Sequence, residues 1–475
     1  MSGCGWIRIW PCLVLVLWLG ACTDDAFEGE NRSDVVDQTT ADSSDELRVN
    51  TFMYNVMRTY YYWNDRLPEL DTIPDKEPET FFEELVYEGD QFSWLTKEWN
   101  GATKSESSSD QYTFSYGFTY SLGAISNAPG NYFAFVEVVY PNTPAEREGL
   151  KRGDIILSVN GAGLTSKNYM LLSADASSSS VSLGLGLYNA NQTITPLDTK
   201  ISLNAENVYL DPVVHYSIID RGNRRIGYLV YMSYEAYANE TLDKVIAYFK
   251  EEGITDLVLD LRYNLGGAET AARHLCSLLA PVQVVSDSEV LITRKYSDSY
   301  MAIVEKSENK DASLNLRFDP SVSVNLDLDQ LYVLTGPATA SASELTIVGL
   351  EPYMDVRTFG ETTYGKCYGG YNMTPDMYNP SWTDLTDWKL YLISFIFANV
   401  DGLTDFTDGL RPDVEVPSVV ETVPLGSEED HLLGSALEAI GGSLRAGQVG
   451  QEQGIPLEEH VVLQKARGLV SSVPF

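Results

Sequence analysis

A serine followed at some distance by a single lysine is the pair of residues in this chain best suited to chemistry. Residues 339–344 read T-A-S-A-S-E, and Lys366 ends the later sequence T-Y-G-K. A serine hydroxyl attacks a carbonyl carbon when a neighbouring base takes its proton, and a neutral lysine can be that base. Because alanines flank Ser341, a substrate backbone can approach it closely. The pattern therefore indicates acyl transfer by a serine nucleophile without histidine.

Lys366 can act as a base only if it is buried, because desolvation lowers the pKa of an amine from its usual value of about 10.4. Residues 356–359 form a strand-like segment with apolar residues at both ends that leads to a glycine, and a tyrosine stands two positions to either side of the lysine. These residues predict a strand that leads towards the lysine and a buried setting for the lysine itself. A surface lysine in a glycine-rich turn is the alternative.

A third segment completes a resemblance to a known family. Residues 260–267 read D-L-R-Y-N-L-G-G, and Lys366 stands 25 positions after Ser341. Together these features resemble the C-terminal processing peptidases, the S41 serine peptidases related to the tricorn core. The resemblance implies that Ser341, rather than Ser343, is the nucleophile and that Lys366 is the base.

The same resemblance implies the position of an oxyanion hole, which needs two backbone N–H donors. In the family one donor comes from the glycine pair after the D-L-R strand, here Gly266 or Gly267, and the sequence does not choose between them. The other donor comes from the residue after the nucleophile, here Ala342. Asp260 and Arg262 are expected to hold this loop and to take no part in the reaction.

One feature of the family is missing, which leaves the orientation of the lysine open. Many of these peptidases carry a glutamine four residues after the lysine, whereas this chain has Gly370 there. Tyr368 and Glu344 are the two alternative groups that could orient the amine of Lys366.

Three other interpretations of these residues remain open. The serine run can be a helix N-terminus, with Ser341 or Ser343 as its cap and Glu344 in the first turn. Residues 360–367 nearly spell a phosphate-binding loop, but Cys367 replaces the hydroxyl residue that holds Mg²⁺. Cys367 could also be a thiol nucleophile. The four histidines form no pair at metal-ligand spacing, so the sequence implies neither a metal nor an organic cofactor. A triad that includes a histidine stays open as well, because triad partners are adjacent only in space.

Short strands and turns fill the segment 108–206. Within it, residues 143–161 read T-P-A-E-R-E-G-L-K-R-G-D-I-I-L-S-V-N-G, which predicts a short helix, a strand and a tight Asn-Gly turn. This part resembles a PDZ domain, which binds the C-terminal carboxylate of a peptide and adds the peptide as a strand. A simple β-turn is the alternative interpretation of the matching carboxylate loop. That loop would consist of Tyr116, Gly117, Phe118 and Thr119.

The N-terminal residues predict export and lipid attachment. Residues 7–19 are mostly apolar but too short for a comfortable membrane span, as in the core of a signal peptide. The following L-G-A-C resembles a bacterial lipoprotein signal, which implies removal of residues 1–21 and acylation of Cys22; an ordinary signal peptide is the alternative. Residues 22–45 are polar and acidic, so we expect a flexible tether. The predicted location is the outer membrane, on its periplasmic or its surface-exposed side.

The charge of the chain argues against one class of partner. Its 475 residues include 32 basic and 68 acidic side chains, for a formal net charge of −36. Such a surface repels phosphate backbones and anionic lipids, so we expect neither nucleic-acid binding nor electrostatic docking on membranes. With only five cysteines, most of them N-terminal, no disulfide framework is predicted.

The remaining segments must position these groups. Residues 46–107 show helical spacing of apolar side chains, with Y-Y-Y-W at 60–63 and D-Q-F-S-W-L at 90–95, and resemble the N-terminal helical region of the family. In residues 207–420 apolar strands alternate with helices, which indicates an α/β core. For this core the resemblance implies the crotonase-like superhelical fold of ClpP and crotonase. Residues 421–475 form a C-terminal segment.

These features predict a lipid-tethered serine endopeptidase outside the cytoplasm. Its PDZ domain would bind the free C-terminus of a protein or peptide substrate and pass the preceding segment to Ser341. The alternative is a non-catalytic lipoprotein that binds a peptide or other ligand on the same scaffold. The missing glutamine favours that alternative, and the spacing of Ser341 and Lys366 disfavours it.

Overall fold

The computed structural model describes residues 43–97, 112–125, 130–174, 179–189, 193–441 and 455–456. The predicted signal peptide, Cys22, most of the predicted tether and most of the chain after residue 441 lie outside these ranges. Among the helices of the described part, none has both the length and the apolar character needed to cross a membrane.

Two helices and a strand form the N-terminal region. They are α1 (Asp45–Tyr60), α2 (Pro78–Leu85) and β1 (Trp94–Lys97). Ser44 is the N-cap of α1, since its side chain accepts a hydrogen bond from the amide of Leu47. Residues 49–57 of α1 are all buried, and the apolar ones pack with residues of α2 and of the strand that carries Leu390 and Leu392. The helical prediction for this region is confirmed.

The segment that resembles a PDZ domain is a small β-domain. Its elements are β2 (Tyr112–Ser115), β3 (Phe118–Ala124), β4 (Tyr132–Val139), α3 (Pro144–Arg147), β5 (Ile155–Val159), β6 (Ala162–Gly163), β7 (Ser180–Tyr188), β8 (Ile194–Asn204) and β9 (Glu206–Tyr209). The antiparallel sheet has the order β3-β4-β5-β7-β8, with β6 paired to β5. Strands β2 and β9 pair with each other where the chain enters and leaves the domain. The predicted turn is present, with positive φ at Asn160 and Gly161.

The rest of the chain alternates strands and helices. Its first half contains β10 (Val213–Arg221), β11 (Arg224–Tyr231), α4 (Asn239–Glu252), β12 (Asp256–Asp260), α5 (Glu269–Leu279), α6 (Val282–Ser286), β13 (Val290–Tyr296), α7 (Asp298–Val304), α8 (Lys310–Leu314) and β14 (Asn315–Arg317). Its second half contains β15 (Gln330–Thr335), α9 (Ala342–Leu350), β16 (Asp355–Gly360), β17 (Tyr368–Met373), α10 (Pro375–Tyr378), β18 (Trp388–Ala398), β19 (Val414–Glu415), β20 (Val419–Val420), α11 (His431–Ile440) and β21 (Ile455–Pro456). The predicted α/β character is confirmed.

Six of these strands form a central sheet in the order β10-β11-β12-β15-β16-β19. All pairs from β11 onward are parallel, and α4, α5 and α9 lie between successive parallel strands as crossover helices. Because β12, β15 and β16 run in the same direction, the loops that follow them lie at one edge of the sheet. Those loops carry the glycine pair, Ser341 and Lys366.

A second, antiparallel sheet has the order β1-β18-β13-β14, and β17 also pairs with β18. Strand β1 belongs to the N-terminal region, and β17 begins two residues after Lys366. The N-terminal region is therefore hydrogen-bonded into the sheet that adjoins the predicted base.

Candidate active site

Ser341 lies at the start of α9 in a conformation that residues with side chains rarely adopt. Its φ is 55° and its ψ is −113°. A positive φ of this kind costs on the order of 1–3 kcal/mol and persists where the surroundings enforce it, which is common at functional sites. The amide of Leu345 donates to the carbonyl of Ser341 at 2.8 Å, so the helix begins directly after the serine. A strained strand-to-helix turn is a geometry that displays a nucleophile.

One buried carboxylate connects the loop of the serine to the loop of the lysine. Oxygen Oε2 of Glu344 accepts the backbone N–H of Ser341 and the backbone N–H of Lys366, each at 2.8 Å. Oxygen Oε1 accepts the hydroxyl of Thr363 at 2.5 Å and the N–H of Gly365 at 2.7 Å. Burial raises the pKa of Glu344 although these four donors oppose the rise. The backbones of the two predicted catalytic residues are therefore fixed relative to each other by one side chain.

Lys366 is buried, with 8% of its surface exposed. Its Nζ lies 5.3 Å from the centroid of the Phe92 ring and 5.5 Å from that of Tyr391. Burial lowers the pKa of Lys366 to about 8, although the negative charges of Glu344 and Asp90 act in the opposite direction. A lysine with this pKa is neutral in part of its population near neutral pH, as a general base must be.

Gly266 lies directly against the serine. A Cβ on Gly266 would come within 2.8 Å of the Cβ of Ser341 and 2.9 Å of the backbone nitrogen of Ala342, so no larger residue fits. Its φ of 101° also favours glycine. The N–H of Gly266 donates to Oδ1 of Asn264 at 2.8 Å. The structure thus brings the predicted Gly266 and Ala342 together beside Ser341, and Gly267 follows with φ 142°.

Asn264 is a site residue that the sequence reasoning missed. It is fully buried, and its carbonyl accepts the N–H of Ala340 at 3.1 Å and the hydroxyl of Ser343 at 3.0 Å. Its side-chain amide donates to the carbonyl of Tyr231 at 2.8 Å. Asn264 therefore joins the glycine loop to the serine loop. Its position just before the glycine pair was the only signal in the sequence.

Asp260 and Arg262 hold the strand end, as predicted, and belong to a buried ion network. Arg262 contacts Asp260 at 2.8 Å and Asp430 at 3.0 Å. Arg152 of the PDZ-like domain contacts the same Asp430 at 3.1 Å. Asp430 is also the N-cap of α11, where it accepts the amide of Leu433 at 2.9 Å. The network joins the PDZ-like domain to the strand that leads into the glycine loop.

The missing glutamine has a steric explanation. A Cβ on Gly370 would lie 2.3 Å from the carbonyl oxygen of Leu392 in the paired strand β18, so a side chain would require the strands to shift. Of the two candidates for orienting Lys366, Glu344 binds its backbone N–H, and Tyr368 packs against aromatic rings of the N-terminal region.

Ser341 is the N-cap of α9 and Glu344 lies in its first turn, so the interpretation as a helix N-terminus is confirmed. The phosphate-binding loop and the thiol nucleophile lose support. Residues 361–367 lead from β16 into the strand β17, whereas a phosphate-binding loop leads into a helix. Burial raises the pKa of the Cys367 thiol to about 12, which disfavours a thiolate nucleophile. In the described part of the chain, no histidine is hydrogen-bonded to Ser341, and no cluster of acidic, histidine or cysteine side chains could hold a metal ion.

The predicted carboxylate loop of the PDZ-like domain leads into an edge strand. Gly117 has φ 89°, and a Cβ there would lie 2.1 Å from the Cβ of Thr143, so the position requires glycine. The Tyr116 side chain is buried, while Phe118 and Thr119 begin β3. Among the residues that the structure describes, strand β3 pairs with β4 on one side and forms an edge of the sheet. Such an edge is where a peptide can add as a strand.

Comparison with known families agrees with the resemblance. Residues 225–416 match peptidase family S41, residues 48–94 match the N-terminal domain of S41 peptidases, and residues 135–174 match a PDZ domain. The chain is therefore similar to peptidase family S41 over its α/β part and its N-terminal region.

Curated relatives show distant similarity over part of their length. The Staphylococcus aureus protein named Probable CtpA-like serine protease is 22% identical over 278 residues, which are 58% of this chain and 48% of that protein. A carboxyl-terminal-processing protease of a Picosynechococcus species is 28% identical over 232 residues, 48% of this chain and 49% of that protein. The chain spans about half the length of the curated relatives it matches.

Solved structures match over most of the chain. A crystal structure from Bacteroides fragilis, named as an S41 protease, superposes with a TM-score of 0.66 at 28% identity and covers 83% of this chain and 98% of that one. The photosystem II D1 C-terminal processing protease superposes with a TM-score of 0.51 at 18% identity and covers 80% and 95%. At that identity the second likeness shows the fold alone.

Proposed function

We propose that this chain is a serine endopeptidase with Ser341 as nucleophile and Lys366 as general base. The observation that carries the proposal is the double hydrogen bond of Glu344 Oε2 to the amides of both residues. It is supported by the strained φ of the serine and by the burial that brings the pKa of the lysine to about 8.

In the proposed reaction, neutral Lys366 takes the proton from the hydroxyl of Ser341 as Oγ bonds to the scissile carbonyl carbon. The resulting oxyanion accepts the N–H groups of Ala342 and of the glycine pair. We favour Gly267, because the N–H of Gly266 is already donated to Asn264. The lysine ammonium then protonates the leaving amine, and a water, deprotonated by the lysine, hydrolyses the acyl-enzyme.

The match of residues 135–174 to a PDZ domain supports a C-terminal binding step. We propose that the carboxylate of a substrate binds the loop at Tyr116, Gly117, Phe118 and Thr119 and that the peptide pairs with β3. Peptides with a free C-terminus should bind the full-length chain, whereas the same peptides with an amidated C-terminus should bind at least tenfold more weakly in a fluorescence polarisation assay. Equal affinities would rule the carboxylate site out. Substitution of Gly117 is a poor test, because a side chain there collides with Thr143.

Membrane attachment through Cys22 and the crotonase-like superhelical arrangement remain parts of the proposal. The sequence L-G-A-C supports the first, and the parallel sheet with crossover helices is compatible with the second. Expression of the Cys22→Ser variant should release the protein from the membrane fraction. Retention of that variant in the membrane would contradict lipid anchoring.

The decisive test compares the wild type with two single-serine variants. The full-length chain and its Ser341→Ala and Ser343→Ala variants are incubated with an unstructured protein, and fragments are identified by mass spectrometry. We expect fragments from the wild type and from Ser343→Ala but none from Ser341→Ala. Fragments from Ser341→Ala would refute the nucleophile. A folded wild type that cuts nothing would favour the non-catalytic binding lipoprotein.

A further inference from the structure

The element D-Q-F-S-W of the N-terminal region lies against the candidate base, although the two are far apart in sequence. The ring centroid of Phe92 is 5.3 Å from Nζ of Lys366. The same ring lies 6.1 Å from the ring of Tyr364 and 6.1 Å from that of Tyr368. Tyr391 of β18 faces the amine at 5.5 Å. Phe92 is therefore one wall of an aromatic enclosure around the amine.

A set of hydrogen bonds fixes this wall. Oδ1 of Asp90 accepts the amides of Phe92 and Ser93 at 2.9 and 3.0 Å, and Oδ2 accepts the hydroxyl of Tyr61 at 2.8 Å. Oγ of Ser93 accepts the amide of Ile393 at 2.9 Å. We call this arrangement of Asp90, Ser93 and Tyr61 the Asp90 bracket. It joins the turn before β1 to the strand β18, so the position of the Phe92 ring does not depend on its own contacts alone.

The ring acts on the amine in two opposite ways. Its π face attracts a cation by about 0.5–1 kcal/mol at exposed sites, which favours the charged form. Its bulk excludes water, and desolvation of a buried amine favours the neutral form by up to several pKa units. The charges of Glu344 and Asp90 add to the first effect, yet the pKa of Lys366 is still lowered to about 8. Burial of the amine therefore outweighs the two negative charges, and the Phe92 ring is one of the groups that bury it.

We propose that Phe92, held by the Asp90 bracket, is a positioning residue that keeps water from the amine of Lys366. The N-terminal helical region thereby becomes part of the catalytic machinery. The catalytic role of Phe92 rests on the proposed function. Its effect on the protonation state of Lys366 does not, because that state can be measured without any cleavage. This separates the two claims in one experiment.

The experiment measures how readily the amine of Lys366 reacts with trace acetic anhydride as a function of pH, with quantification by mass spectrometry. Only the neutral amine reacts, so the midpoint reports the pKa of Lys366, whereas the plateau reports access of the reagent. The full-length wild type is compared with Phe92→Ala and with Phe92→Leu, which keeps most of the apolar bulk. Tyr87→Ala is the matched control, because Tyr87 packs on Trp63 at 5.6 Å instead.

We expect the midpoint of Phe92→Ala to move upward by about one unit, so that the neutral fraction of Lys366 at pH 7 falls about tenfold. Phe92→Leu and Tyr87→Ala should keep the wild-type midpoint. If Phe92→Ala does not fold, Ser93→Ala removes the bond to Ile393 and should give a smaller upward shift. An unchanged midpoint in the folded alanine variant, or in Ser93→Ala where that variant stands in, would overturn the proposal. An equal shift in Phe92→Leu would also overturn it.

Cleavage supplies a second readout. If the wild type cuts protein, the pH–rate profile of Phe92→Ala should shift by the same amount as its labelling midpoint, which a purely structural defect would not produce. A shifted midpoint with an unshifted profile would contradict the positioning role. A wild type that cuts nothing would overturn the proposed function, and the labelling midpoints would still decide whether Phe92 controls Lys366.

Discussion

The ion network at Asp430 and the enclosure around Lys366 both bury charged side chains, but their surroundings differ. Burial alone would raise the pKa of Asp430, yet the guanidinium groups of Arg262 and Arg152 outweigh it and bring the pKa to about 2. Around Lys366 the amine faces the rings of Phe92 and Tyr391, and burial prevails to lower its pKa to about 8.

The buried charges at Asp430 suit a structural role, whereas the buried amine of Lys366 suits a chemical one. Opposite charges at contact distance keep each other ionised over the whole physiological pH range, which suits a junction between domains. An amine enclosed by rings can lose its proton near neutral pH, which suits a base. The same physical cost of burial therefore has two outcomes, which the neighbouring side chains decide.

Giving Lys366 a permanent charge should have the largest effect. In Lys366→Arg the guanidinium stays protonated, so it cannot accept the proton of Ser341, and cleavage should fall about 1,000-fold or more. Single-turnover cleavage of a peptide measures this loss. Lys244→Arg, at an exposed position on α4, is the control and should cleave at the wild-type rate. Substantial cleavage by Lys366→Arg would mean that another group is the base.

Removing the negative charge of Asp430, which Arg262 and Arg152 share, should have the next largest effect. Asp430→Asn keeps an oxygen for the amide of Leu433 but leaves Arg262 and Arg152 with less compensation, which should lower the free energy of unfolding by about 3 kcal/mol. Urea unfolding measures the change. Glu240→Gln, which breaks the exposed pair with Lys244, should leave the unfolding curve unchanged. A similarly small effect at Asp430 would show that the network contributes little to stability.

Removing the amine of Lys366 should have the smallest effect of the three. It should raise the free energy of unfolding, whereas the substitution at Asp430 lowers it. Lys366 has a pKa of about 8 in the folded protein against 10.5 as its ordinary value, so the unfolded chain binds more protons between these values. The cost of burying the lysine is therefore fully present below pH 8 and disappears as the pH rises towards 10.5. Lys366→Met should raise the free energy of unfolding by about 2 kcal/mol at pH 7 and by much less at pH 10. A gain that did not shrink with pH would contradict a buried, partly deprotonated amine.

Much of the architecture followed from local pattern. The helices α1 and α5 and the strands β12 and β15 were predictable because the spacing of apolar side chains is a property of neighbouring residues. The resemblance of the serine run, the D-L-R-Y-N-L-G-G string and the lysine spacing to peptidase family S41 is confirmed by the match of residues 225–416 to that family. The roles of Ser341 and Lys366 remain predictions.

The support of the site was not predictable in the same way. Asn264 and the double role of Glu344 depend on loops that approach only after β12, β15 and β16 align in the sheet. The Asp90 bracket and the contact of Arg152 with Asp430 each join segments that lie far apart in the chain. The spacing of apolar residues along the chain gives no information about such contacts.

The residue types that can carry out the chemistry, the elements that bear them and the resemblance to peptidase family S41 follow from the sequence. The environment of those residues depends on how the chain folds. Whether a lysine is a base or an ordinary surface cation depends on how much water and which charges surround its amine, and distant segments supply both. For Lys366 those segments are the turn at Phe92, the strand that carries Tyr391 and the helix that carries Glu344.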